Sequence, residues 1–150
     1  MATRSILLSL SLIASLEVQA SDSLKITVIG IERATLFISV DCIDPEFYSL
    51  DEDQVRDGRF NLPSDCYLDL KSVSFHLRHN DSIPASIVYS HWFGYKKGEF
   101  KRSLRNKRIL QLPVGYLYNL DSGSYTLYVA YYSRRFGRCI KSNIIEFEVK

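Results

Sequence analysis

The residues best equipped for chemistry are few and badly spaced for it. His76 and His79 stand three apart in an alternating apolar run through Val73, Phe75 and Leu77. In a strand their side chains leave on opposite faces and cannot converge on one metal ion. Asp51, Asp53, Asp57 and Gly58 suggest a calcium loop. A frame begun at Asp53, however, puts Val55 third and Ser64 twelfth, where an oxygen ligand and a bidentate carboxylate are required. The chain has no Gly-x-Ser-x-Gly, no His-Glu-x-x-His, no phosphate-binding loop and no dinucleotide fingerprint. No catalytic residue, metal ligand or cofactor is assigned, and an enzyme is not expected.

Cysteine chemistry remains. Cys42, Cys66 and Cys139 lie 24 and 73 residues apart, unlike zinc ligands, which come in close pairs. Their compartment is set by the first twenty residues: a positive charge at Arg4, an apolar run from Ile6 to Leu16, and Val18-Gln19-Ala20, whose small residues suit a signal peptidase. Residues 1–20 read as a signal peptide cleaved after Ala20, and 21–150 as the mature domain. The apolar run is about half the length of a bilayer-spanning helix, so stable membrane insertion is not expected. A secreted or periplasmic protein can form disulfides.

The elements that must position these residues are strands. The 150 residues are 46% apolar and 24% charged, with 10 tyrosines and 8 phenylalanines, a composition suited to one folded domain. Alternating runs predict strands at Leu24 to Gly30, Ala34 to Cys42, from Cys66 through Leu77 with a change of phase, Ile83 to Phe93, Lys107 to Leu112, Ser124 to Tyr132 and Ile140 to Val149. These seven predict an all-β, two-sheet antiparallel sandwich. Alternation points Cys42 inward. If successive strands alternate in direction, the connections Ile43 to Asp65, Gly94 to Asn106 and Ser133 to Arg138 share one end, and all three cysteines border it. A bridge from Cys42 to Cys66 is preferred, because it lies within the first loop and would constrain a connection otherwise too long to order cheaply; a tie from either to Cys139 is the alternative. The leftover Cys139 would be a small apolar residue beside Ile140, or pair with another chain.

Asp121-Ser122-Gly123-Ser124-Tyr125-Thr126-Leu127 resembles the tyrosine corner of the immunoglobulin-like superfamily, with Asp121, Gly123 and Tyr125 at the positions that carry it. Leu127 stands where antibody domains have cysteine. The stretch on to Ser142-Asn143-Ile144-Ile145-Glu146-Phe147 is similar to the closing hairpin of exported bacterial Ig-like modules. The resemblance implies an Ig-like sandwich in which the Tyr125 ring enters the core and its hydroxyl returns to the backbone near the preceding turn.

Charge is unevenly spread along a chain whose formal net charge is only +2. From Asp41 to Asp69 there are nine acidic and two basic residues; from Gly94 to Ser142 there are eleven basic and two acidic. Either the acidic loop folds over the basic ones, or the basic loops project toward an anionic partner. In the second reading Trp92, Phe93, Tyr95 and Phe100 are apolar anchors, and Lys96, Lys97, Lys101, Arg102, Arg105, Arg134 and Arg135 carry the charge. Cations mixed with aromatics would also suit nucleic acid, but export argues against that partner, and none is expected. The expectation is an exported, non-catalytic protein that binds an extracytoplasmic protein through its charged loops, such as an inhibitor or immunity-type protein. An anionic-polymer or glycan binding module and a passive surface or assembly subunit are the alternatives.

Overall fold

A computed structural model describes residues 23–58, 65–67, 72–84 and 98–150. The proposed signal segment and most of the Ile83 to Phe93 run lie outside these. The described residues form a predominantly β structure of two sheets. The first has the order β1 (Leu24–Glu32), β2 (Thr35–Cys42) and β5 (Ile109–Leu112), all antiparallel. The second is built on the long strand β6 (Gly123–Ser133). On one side β6 pairs with β4 (Val73–His79), which carries the short parallel strand β3 (Val55–Asp57) on its far edge. On its other side β7 (Arg138–Lys141) and β8 (Ile145–Val149) follow one another along its length.

Alternation explains the core. Leu36, Ile38 and Val40 of β2 face Tyr125, Leu127, Val129 and Tyr131 of β6, and all are buried. Cys42 continues the inward row of β2. The turn at Asn80 and Asp81 takes left-handed φ of 50° and 62° at its two central residues, as a tight hairpin turn requires. Tyr125 is buried, and its hydroxyl donates to the Asp121 carbonyl at 2.7 Å, tying the start of β6 to the turn before it.

Several features depart from the expected strands. The strand expected from Cys66 begins only at Val73, with Asp65, Cys66 and Tyr67 outside any strand, and the connection from Ile43 to Asp65 contains β3, whose pairing with β4 is parallel where an antiparallel sandwich was expected. The connection before β5 is not a loop throughout: Glu99–Lys107 forms the helix α1. Phe100 and Leu104, four apart, give it a narrow buried stripe, while Glu99 at its start and Arg105 and Lys107 at its end suit the helix dipole. A second, short helix, α2 (Val114–Leu117), follows β5 and buries Val114 and Leu117. The final run is two strands, because Ser142 and Asn143 break it with their side chains. Ser142 Oγ accepts from the Val129 N–H at 2.9 Å. The Asn143 side-chain amide reaches the other sheet, accepting from the Ile26 N–H at 2.8 Å and donating to the Ile26 carbonyl at 2.9 Å.

Candidate functional site

The ends of β2, β6 and the start of β7 meet at one end of the sandwich, and the acidic connection after β2 is built into it. Asp44 is fully buried. Its carboxylate accepts from the Ser133 hydroxyl at 2.5 Å and from the Glu46 N–H at 3.0 Å. This fixes the 3-10 turn Pro45–Ser49 against the end of β6. Tyr131, buried beside the same carboxylate, has its ionisation pushed up by burial and then by the Asp44 charge.

Asp65 makes the second attachment, on the outer face of the β4–β6 sheet. Its carboxylate accepts from the Tyr128 hydroxyl at 2.8 Å and lies 3.9 Å from Lys141 Nζ. Its backbone carbonyl is 2.6 Å from Ser74 Oγ and 3.0 Å from His76 Nε2. Although Ser74 Oγ and His76 Nε2 are 3.1 Å apart, they are not a nucleophile and its base. A carbonyl can only accept, so the serine hydroxyl and the Nε2–H both donate to it, leaving Nε2 no lone pair to take the serine proton. The His76 ring stacks on Tyr128 at 4.4 Å, and Gly58 lies so close to its other side that a Cβ there would stand 2.3 Å from the ring. Burial lowers the His76 pKa. The cluster is a clasp that holds the Asp65 segment on the sheet.

That clasp decides the disulfide. Cys66 pairs with Cys139, with Cα atoms 5.9 Å apart, and Cys42 is the free, buried thiol. The expected Cys42–Cys66 bridge is therefore corrected. All three cysteines do border one end, but Cys42 points between the sheets. Cys139, opposite Tyr132 and next to the inward Ile140, faces outward, where the Asp65 segment lies. Loop length favoured Cys42; the face of the sheet excludes it. Burial pushes the Cys42 thiol up to about 11.

The basic residues fare unequally. Phe100 is 1% exposed and belongs to the core, so it is corrected from a partner anchor to a packing residue of α1. Lys101 Nζ meets Asp51 at 2.6 Å, and Arg108 meets Asp41 at 3.5 Å while lying 4.9 Å over the Tyr48 ring. The acidic loop thus covers part of the basic one with exposed pairs worth roughly 0–1 kcal/mol each. Arg102 and Arg105 are exposed on α1, with no ion pair among the described residues. Trp92, Phe93, Tyr95, Lys96 and Lys97 lie outside the described residues.

Arg134 and Arg135 occupy the exposed tip of the β6–β7 hairpin with Phe136 and Gly137. Phe136, which strand patterning passed over, is 43% exposed, with the Arg135 guanidinium 5.8 Å from its ring centre. The tip is braced from behind. The Phe136 N–H donates to Ser133 Oγ at 3.1 Å, Ser133 is held by Asp44, Gly137 takes a φ of 62°, and Cys139 is covalently tied two residues on. The signal for Phe136 was available: a four-residue turn has no interior in which to bury a phenylalanine.

Among the described residues, no helix is long and apolar enough to cross a membrane. No family model, curated protein or solved structure matches this chain.

Proposed function

We propose that this is an exported, non-catalytic binding protein, an Ig-like sandwich released from a cleaved signal segment, that grips an acidic surface of an extracytoplasmic protein with its hairpin tip. The observation that carries the reading is the tip itself: an exposed Phe136 among Arg134, Arg135 and Arg138, on a turn held by a buried carboxylate and a disulfide. An aromatic ring beside guanidinium groups is the combination that dominates interface energetics, and bracing reduces the ordering entropy lost on binding. Arg102 and Arg105 on α1 extend the positive surface beyond the acidic 3-10 turn. The disulfide supports an oxidising compartment. An inhibitor or immunity-type role, in which the tip enters an anionic cleft of another enzyme, is the specific form of this reading.

The test is capture of partners from the source envelope and its surroundings by the oxidised protein, with identification by mass spectrometry. One stoichiometric protein, retained at moderate salt and lost by Phe136→Ala and by Arg134→Glu/Arg135→Glu, is the expected result. Binding only to polyanions, lost as salt rises, would replace the reading with an anionic-polymer module. Capture unaffected by all these substitutions would remove the tip from the site.

A further inference from the structure

At the end of the sandwich opposite the charged tip, the two sheets fail to close. β1 and β8 lie against each other, and near Ile26 the seam is bridged by the Asn143 amide. That amide occupies both the N–H and the carbonyl of Ile26, as the peptide group of a neighbouring strand would. By strand alternation Val28 turns its N–H and carbonyl to the same side, and from Val28 onward the seam opens into a cavity of about 750 Å³. Val28, Val114, Leu120, Phe147 and Val149 supply its apolar lining. Beside it the β1 register slips between Val28 and Gly30, leaving Ile29 57% and Ile31 41% exposed on an edge strand. Natural proteins guard such edges, and this one carries exposed isoleucines instead.

We infer that this seam is a binding site for an extended segment of a protein partner, one that alternates apolar with basic side chains and adds a strand at the mouth between β1 and β8. The size of the cavity suits a short strand, with alternate side chains reaching the apolar lining and main-chain groups meeting the β1 edge at Val28. Charge selects the occupant. Glu146 and Glu148, exposed on β8, line the cavity with Lys150 as the one cation among its lining residues. A segment beside them gains from lysine or arginine at its outward positions. A second copy pairing β8 with β8 would instead set these glutamates against each other. The site is remote from the hairpin tip and stands independently of the function proposed above.

The probe is a labelled, end-capped peptide alternating valine with lysine, about seven residues long to match the seam. Its controls are the same peptide with glutamate for lysine and with proline for the central valine. Fluorescence anisotropy gives affinities, and amide chemical shifts locate the contact. Saturable binding is expected, with shifts at Val28, Gly30, Glu146 and Val149, and affinity reduced about tenfold or more in both control peptides. The surface variant Glu146→Lys/Glu148→Lys should weaken the lysine peptide about fivefold without changing the melting temperature. No binding at millimolar peptide, equal binding of either control, or shifts confined to residues 134–138 would each overturn the proposal. So would concentration-dependent shifts of the seam amides in protein alone, which would identify a second copy as the occupant.

Discussion

Removing the Cys66–Cys139 bridge is the perturbation whose magnitude the structure sets most directly. The bridge closes 73 residues. In the chain-entropy relation a loop of that size restricts the unfolded ensemble by about 4.4 kcal/mol at 25 °C. For a domain of this length, that corresponds to a fall in Tm of roughly 15 °C. The comparison is urea unfolding, followed by far-UV circular dichroism, of the oxidised wild type and a Cys66→Ala/Cys139→Ala double variant with Cys42 intact. Hydrogen exchange should quicken in the variant around Arg138–Lys141 and remain slow in the β1–β2 ladder, which the bridge does not touch. Peptide mapping without reductant should leave Cys42 alkylated only after denaturation, since burial holds its thiol near 11 and few thiolates form at neutral pH. A stability difference below about 1 kcal/mol would refute the loop-closure account. A map showing Cys42 in the disulfide would refute the sheet-face argument that separates it from Cys66.

Two further substitutions probe the polar contacts that hold the sheets. Burial lowers the His76 pKa below its unfolded value of 6.5, so its contribution is complete above that pH and is lost as the unfolded chain takes up a proton that the native state resists. Stability should therefore fall on acidification below about pH 6.5, with a slope of at most about 1.4 kcal/mol per pH unit from this group, and urea titrations of His76→Gln should lack that component. Asn143→Ala leaves the N–H and carbonyl of Ile26 without their side-chain partners, at an expected cost of about 1–3 kcal/mol, measurable by urea unfolding.

Much of the β architecture was legible because a half-buried strand must alternate. Tyr125, Leu127, Val129 and Tyr131 announce β6, and the turn residues on either side set its direction, which places all three cysteines at one end. What alternation does not encode is which face a connecting segment crosses. The acidic connection leaves β2 at the inward-pointing Cys42 and reaches the outer face of the other sheet by Asp65, a path set by Ser74, His76 and Tyr128. None of these carries a recognisable motif. The helix α1 was hidden because two apolar residues, Phe100 and Leu104, are too few to establish a period of 3.6. At the tip, Arg134 and Arg135 could be placed from the charge count. Phe136 needed the additional observation that its turn leaves it nowhere to pack.

The two signs of charge play different parts at the loop end, and this explains how a chain with net charge +2 can present a basic surface. Asp44 and Asp65 are spent on hydroxyl partners: one is sealed beneath Ser133 and Tyr131, the other receives the Tyr128 hydroxyl and binds its segment to the sheet. Asp41 and Asp51 lie against Arg108 and Lys101 at the margin of α1. The carboxylates thus hold the connection in place, while Arg102, Arg105, Arg134 and Arg135 remain exposed. Reversing the sign at Asp44 should disorder the turn that supports the tip, whereas reversing it at Arg134 or Arg135 should change only the field a partner meets. The field of a surface is set by which charges the fold leaves exposed, and here those beside the exposed ring are predominantly basic.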